Sequence, residues 1–498
     1  MIRPWKTIWF FIVVGIFLSI SIIAIPTEGL NVAGFNIHMP SFKEMISKDT
    51  SSYADISNIV NDIENIDSLP DITEMIEAEI PQEIVSIDSV EQINPKDTVR
   101  ANAGELAKSI YRLQFPNGDK AGLKKFFSKL NAVAKNKSSI RIMHYGDSQI
   151  EGDRITSYLR NKLQRKYGGS GPGLLPALQP YGAYFSIDQS NEGNWTRYPV
   201  FGKVNKAVEH KKYGPLAAFT RFSPIVPDSL YHDSIEYTAS IIFGESKLAY
   251  SSVRNFQKVK VLYGNAKRPT SIKLYVDEQL VASDSLQART NFSVYEHTLA
   301  APTKNLKLSF TGFDSPDVYG VALDGVNGVS MDNVGMRGSS GTIFRKMDFE
   351  NLKASYDAMD VQLFIMQFGG NVMPYIKDSS EAVNYGRWFY NQIKTIKRMR
   401  PNAYIIVIGP SDMSHKVGEK YETYAYLDLV NGELKKAAFK AGFAYWDMYN
   451  AMGGYNSMPS WVRSEPALAG SDYTHFTPRG AKLIANMFYN ALMIESLK

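Results

Sequence analysis

Two unbroken apolar runs constrain this chain more than any other feature: Val361–Gln367 (VQLFIMQ) and residues 403–408 (AYIIVI). Each has strand length and lacks the alternation of a half-solvated strand, so both of its faces must be covered. A parallel sheet with helices on both faces buries strands in that way. The surrounding segments supply the helices. Residues 122–134 put Leu123, Phe126, Phe127 and Leu130 on one face. Residues 150–166 carry apolar side chains at 150, 155, 159 and 163 and end at Gly168 and Gly169. Further helical runs are expected at about 382–399, 421–441 and 478–497, with a strand at 139–145 ahead of the second helix. Strand then helix, repeated, predicts a doubly wound α/β sheet.

Between about 185 and 328 the helical period disappears. Runs at 258–263 (KVKVLY), 271–276 (SIKLYV), 291–299 and 306–311 are rich in Val, Ile, Tyr and Phe and are separated by turn residues. This pattern predicts a β-sandwich or jelly roll, inserted after the first strand–helix unit of the sheet.

The first thirty residues are of a third kind. Arg3 and Lys6 precede residues 8–25, which carry no charge. Eighteen residues of helix span roughly 27 Å, enough for a bilayer core. The basic residues would stay on the cytoplasmic side and the rest of the chain would be exported. An uncleaved transmembrane signal anchor is expected rather than a cleaved signal peptide, because no small-x-small site follows the run. Residues 41–100 hold 14 acidic against 4 basic side chains, a net of −10, in a chain whose total is +5. They read as an acidic, disordered spacer, with short amphipathic helices possible within 56–80. The remaining +15 suits an anionic cell wall or is simply a solvated basic surface. The Lys and Arg residues are scattered and no nucleic-acid motif occurs, so a nucleic-acid partner is not expected. With no cysteine, disulfides, a thiolate nucleophile and Cys-bound zinc are excluded. The expected organisation is therefore an anchor (1–30), an acidic linker (31–100), an α/β domain in two parts (101–185 and 329–498) and a β-sandwich between them (186–328).

Chemistry-bearing residues gather where the predicted strands end. The first strand runs into Gly146-Asp147-Ser148-Gln149. A serine at the carboxyl edge of such a sheet, close to a helix N-terminus, lies where these folds bind ligands, although Ser is also a common helix cap. A serine hydroxyl needs a base held by a third group. Ser471-Asp472-Tyr473-Thr474-His475-Phe476-Thr477-Pro478 offers Asp472 and His475 three apart on a loop that enters the last helix at Pro478. Oxyanion donors are available from Gly338, in NVGMRGS (333–339), and from Asn371, in Gly369-Gly370-Asn371 after the run at 361–367. Taken one by one, these glycines and the Asn are as well explained by turns.

The ordered set G-D-S, N-x-G-x-x-G, G-G-N and D-x-x-H resembles the four sequence blocks of the SGNH (GDSL-type) hydrolase superfamily, over about residues 101–185 and 329–498. The resemblance implies a flavodoxin-like three-layer α/β/α domain and metal-free, cofactor-free ester hydrolysis. Ser148 would be the nucleophile and, through its N–H, an oxyanion donor. Gly338 and Asn371 would complete the oxyanion hole, His475 would be the base and Asp472 its orienter. Val372 stands where an acidic residue often follows the Asn, and Gln149 where Leu or His often follows the Ser. The stretch from His144 to Ser148, the run Tyr167-Gly168-Gly169-Ser170-Gly171-Pro172-Gly173 and the β-insert are similar to bacterial peptidoglycan O-acetylesterases with a carbohydrate-binding-module-like insert.

That likeness implies an exported esterase acting on an O-acetylated wall polysaccharide, with peptidoglycan the expected one. Related exported proteins transfer acetyl groups instead, supplied by a membrane acyltransferase, and the residues do not distinguish the two. A catalytically idle wall-binding protein is the third alternative. Tyr181, Tyr184, Phe185 and Trp195 are open to sugar stacking or to core packing. His144 reads as a packed or hydrogen-bonding neighbour of the site rather than a second base, and Asp412 as a turn residue or a polar neighbour.

Overall fold

A computed structural model describes residues 4–24, 30–32, 35–37, 53–60, 111–182, 184–226 and 235–497. Most of the expected acidic linker lies outside these residues. Two compact units are present, one to Tyr53 and one from Ala54.

The first unit contains a helix over Pro4–Ala24, where the uncharged run predicts one, and a short antiparallel hairpin, Leu30–Val32 with Phe35–Ile37. The helix side chains described are 5–17, 19 and 20. Among the described residues no helix is long and apolar enough to cross a membrane.

The second unit is built on a five-stranded sheet. Its strands are β1 (Ser139–Gly146), β2 (Gly328–Gly335), β3 (Val361–Gln367), β4 (Tyr404–Ile408) and β5 (Ala444–Trp446). They are parallel and lie in the order β2-β1-β3-β4-β5, the flavodoxin order. Helices α1 (Ala121–Asn136), α2 (Thr156–Tyr167), α3 (Phe349–Ala358), α4 (Ser379–Met399), α5 (Leu427–Ala441) and α6 (Pro478–Met493) cover it. α1 forms because Leu123, Phe126, Phe127 and Leu130 recur on one face, all buried. It stops where Lys137 turns left-handed at φ 48°. Every residue of β4 is buried, as are six of the seven of β3.

Two predicted helices start later than expected. α2 begins at Thr156 rather than 150, because Gly152 and Asp153 both take positive φ (67° and 72°) and break the helical path. Ser148 is therefore followed by a turn, not by a helix N-terminus. α5 begins at Leu427 rather than 421, since Lys420–Thr423 pairs with Ser414–Val417 as a hairpin.

Strands from the middle of the chain form two antiparallel sheets. One is ordered Gln279–Leu286, Thr270–Val276, Leu306–Gly312, Tyr237–Gly244, Asp188–Glu192; the other Ser293–Thr303, Phe256–Gly264, Asp317–Asp324, Ala218–Arg221, Thr196–Pro199. Ile241, Phe243, Ile272, Leu274, Leu308 and Phe310 of the first pack on Val259, Val261, Val321 and Leu323 of the second, giving a sandwich. The chain enters it before residue 186: Gly173–Leu175 already pairs with Asp317–Asp324. The join is fastened by Arg141 of β1, whose guanidinium holds Asp324 of the sandwich and Asp332 of β2, while Asp332 Oδ1 accepts from Leu174 N at 2.8 Å. Tyr198, Tyr213, Phe219 and Tyr319 of the insert belong to the same apolar cluster as the α/β core.

Candidate active site

The carboxyl ends of β1, β2, β3 and β4 deliver four loops to one rim of the sheet, and the loop before α6 closes over them. Ser148 lies two residues beyond β1. Its Oγ is 2.7 Å from His475 Nε2, and His475 Nδ1 is 2.7 Å from Asp472 Oδ2. A carboxylate can only accept, so Nδ1 carries the proton and the Nε2 lone pair faces the serine hydroxyl. Asp472 Oδ1 accepts from the backbone N–H of Thr474 and of His475, each at 3.0 Å, which locks the Asp-x-x-His turn. Burial pushes the Asp472 carboxyl up, but these backbone bonds and the imidazole outweigh it and hold the group below its usual value. Asp472 is thus a charged acceptor at neutral pH.

The loop holding the pair is built for rigidity. Tyr473 adopts φ 53° and stacks flat on Tyr421 of the hairpin, ring centroids 3.6 Å apart. Gly470 N donates to His475 O at 2.8 Å. Thr477 caps α6 by accepting from Gly480 N, with Pro478 in the first turn.

Gly338 and Asn371 line the same groove as Ser148, Asp472 and His475. Gly338 sits in an exposed turn at φ 79°, a conformation that favours glycine. Asn371 Nδ2 donates to Ser339 O at 3.2 Å, tying the two donor loops together and leaving its second hydrogen available. On the other side of Ser148 a cavity of about 70 Å³ is lined by Phe368, Pro410, Met413 and Met448, among others. At roughly 10–15 Å³ per water-sized group it has room for only a few heavy atoms.

Three features were not legible as site residues. Gln149 braces three loops: its Nε2 donates to Thr474 O at 2.5 Å and Ser411 Oγ at 3.1 Å, and its Oε1 accepts from Phe476 N at 3.4 Å. Arg154 links Ser148 O to Phe476 O. Asp147 is buried beside Ser148. Burial pushes its carboxyl up to about 6 against the opposing pull of the Gln149 N–H, His475 and Arg154. All three lie in or near the G-D-S motif, but the loop atoms that Gln149 and Arg154 reach at Thr474 and Phe476 are more than 300 residues away along the chain.

His144 is fully buried, bonded to Gln367 and Thr156, and lowered by burial to about 3, so its imidazole is neutral. Asp412 stays inside the fold, where Thr423, Ser457 and Met458 donate to it; burial raises it to about 6. Trp195 belongs to the sandwich core, against Phe222 and Phe310. Phe185 lines the groove and Tyr181 lies beneath Arg337. Val372 packs partly buried against the core. Among the described residues no group of three or more His, Cys, Asp or Glu side chains could hold a metal ion.

No protein-family model and no curated protein matches this sequence. Solved structures do. One described as a peptidoglycan O-acetylesterase in action shares 18% identity at a TM-score of 0.59, over 77% of this chain and 99% of its own. A family 2 carbohydrate esterase with a carbohydrate-binding domain, from Corynascus thermopiles (Myceliophthora fergusii), shares 12% identity over 54% of this chain and 97% of its own, at a TM-score of 0.25. A putative GDSL-like lipase from Parabacteroides merdae shares 17% over 33% and 74%, at 0.26. The first of these establishes a common fold across nearly the whole of the solved chain, insert included.

Proposed function

We propose that the protein is a serine esterase that removes O-acetyl groups from a cell-wall polysaccharide, with peptidoglycan as the substrate. The observation that carries the reading is the unbroken line Ser148 Oγ–His475 Nε2, His475 Nδ1–Asp472 Oδ2, each step 2.7 Å. In this reading His475 takes the Ser148 proton as Oγ attacks the acetyl carbonyl. The oxyanion is met by the N–H groups of Ser148 and Gly338 and by the Asn371 amide. The C–O bond to the sugar breaks, the sugar oxygen takes the proton from His475, and the acetyl group stays on Ser148. A water activated by His475 then releases acetate.

The small cavity beside Ser148 supports an acetyl rather than a long acyl group. The fold shared with a peptidoglycan O-acetylesterase supports the substrate class. His475 and Asp472 retain 35% and 53% of their side-chain exposure, which leaves a path for the water that hydrolysis needs. Membrane attachment and export are part of the proposal. The large apolar side chains of the N-terminal helix are exposed, from Trp5 (70%) to Ile20 (59%), and a bilayer would cover them.

Ser148→Ala is expected to lower acetate release from O-acetylated peptidoglycan by about 10⁵- to 10⁶-fold. Turnover within tenfold of the unaltered protein would sink the assignment. Export is tested separately, by whether protease added to spheroplasts digests the part from Ala54 onwards.

A further inference from the structure

A second cavity, of about 40 Å³, lies where the sandwich meets the α/β domain, lined by Gly152, Tyr181, Tyr184, Arg197 and the end of β2. Arg197 stands on the edge strand Thr196–Pro199 of the sandwich, opposite Thr220. The fully buried arginines are paired: Arg141 with Asp324 and Asp332, Arg160 with Asp153, Arg221 with Asp314 and Asp317. Among the described residues neither a carboxylate nor a hydrogen-bond acceptor pairs with Arg197, which is half-buried, and burial lowers its pKa. A partly desolvated guanidinium without a counter-ion carries a cost, and an anion from outside would offset it. Beside it the buried Tyr184 hydroxyl oxygen is approached by the Asn333 side chain, but no well-formed hydrogen bond takes its proton.

The cavity adjoins the groove at Ser148. Gly152 lines both. Tyr181 carries Arg337 on its ring at 4.6 Å, and Arg337 lines the groove. The Arg337 guanidinium is itself committed to Glu151, which leaves Arg197 to meet an incoming anion. At roughly 10–15 Å³ per water-sized group the cavity takes about three or four heavy atoms. A carboxylate and the carbon that bears it are of that size, and a guanidinium pairs with a carboxylate in a bidentate manner.

We propose that this cavity is a subsite for a carboxylate of the glycan, bound by Arg197 with the Tyr184 hydroxyl, so that the enzyme selects O-acetylated polymers that are also acidic. The inference rests on the esterase reading for its substrate but not for its binding step. The test therefore uses binding. Full-length Ser148→Ala protein is titrated calorimetrically with two probes, each as free acid and as methyl ester. They are a disaccharide of N-acetylglucosamine and N-acetylmuramic acid with its lactyl carboxylate free, and trigalacturonate.

At least one acid should bind tenfold or more tightly than its ester. Arg197→Gln in the same background should erase that preference, and Arg197→Lys should restore part of it, which loss of folding could not do. Equal affinity for acid and ester with both probes, or a preference that survives Arg197→Gln, overturns the proposal. If instead the acids bind as expected but the protein with Ser148 intact frees no acetate from acetylated polymer, the subsite stands and the esterase reading falls.

Discussion

Asp147 shows how a single buried group sets the pH behaviour of the site. Its carboxyl is raised by burial from 3.8 to about 6, so folding favours the protonated form. The stabilisation this provides is complete below pH 3.8 and is lost as pH rises through 6. Above that the buried charge costs about 3 kcal/mol, since a tenfold change in proton affinity is worth about 1.36 kcal/mol. Asn at this position keeps an acceptor for the Gln149 N–H, which Asp147 Oδ1 meets at 2.9 Å, without the charge. Asp147→Asn should therefore gain stability relative to the unaltered chain between pH 4 and 8, by about 1–3 kcal/mol in denaturant unfolding; a difference that stays flat with pH contradicts this. Gln149 acts through geometry instead. Its three bonds hold the serine loop against the histidine loop, and displacements of about 1 Å at a reacting group cost up to about 10²-fold in rate. Gln149→Ala is expected to lower kcat about 10- to 100-fold while KM for a small acetyl ester changes little. A change confined to KM would show that the brace is not what matters.

At the level of elements, His475 is only as well positioned as the helix its loop introduces. Thr477 caps α6 and fixes where the Asp472–His475 loop ends. Thr477→Ala should cost about 1 kcal/mol, read from the denaturant midpoint, and lower kcat with it; unchanged stability would mean that the loop is held by its stacking on Tyr421 alone. Legibility in the sequence also differs by element, for physical reasons. β3 and β4 are visible because burial on both faces demands continuous apolar runs. β2 is not, because Ser330, Asp332 and Asn333 interrupt its pattern. They are buried polar residues, and Asp332 Oδ1 and Asn333 Oδ1 accept from Arg141, Leu174 N and Thr156, partners that no local reading can supply. β5, three residues long, is too short for any period. The early start predicted for α2 fails at Gly152 and Asp153, where the left-handed turn wins over an apolar spacing that fits a helix. The four motifs identify Ser148, Asp472, His475, Gly338 and Asn371 as one constellation, and the structure brings these five to one groove. Gln149 and Arg154 stay hidden because their acceptors, Thr474 O and Phe476 O, are backbone atoms that any residue would provide.

For the molecule as a whole, the insert is not an appendage. Its Tyr198, Phe219 and Tyr319 share a core with the α/β domain, and Arg141 ties Asp324 to the sheet. This also dictates an order of events. β1 and β2 are adjacent in the sheet, yet about 180 residues separate them in the chain. Closing so long a loop as flexible polymer is entropically slow, whereas a collapsed sandwich brings its two ends together first. Refolding should then proceed from the inside of the sequence outwards. In a chain carrying fluorotryptophan, the ¹⁹F signal of Trp195, inside the sandwich, should regain its native position before those of Trp446 and Trp461 in the α/β core. Simultaneous recovery of all three would refute that order. A nascent chain would by the same logic present a finished β-module while the α/β sheet behind it is still open, so that the groove at Ser148 is the last part of the molecule to mature.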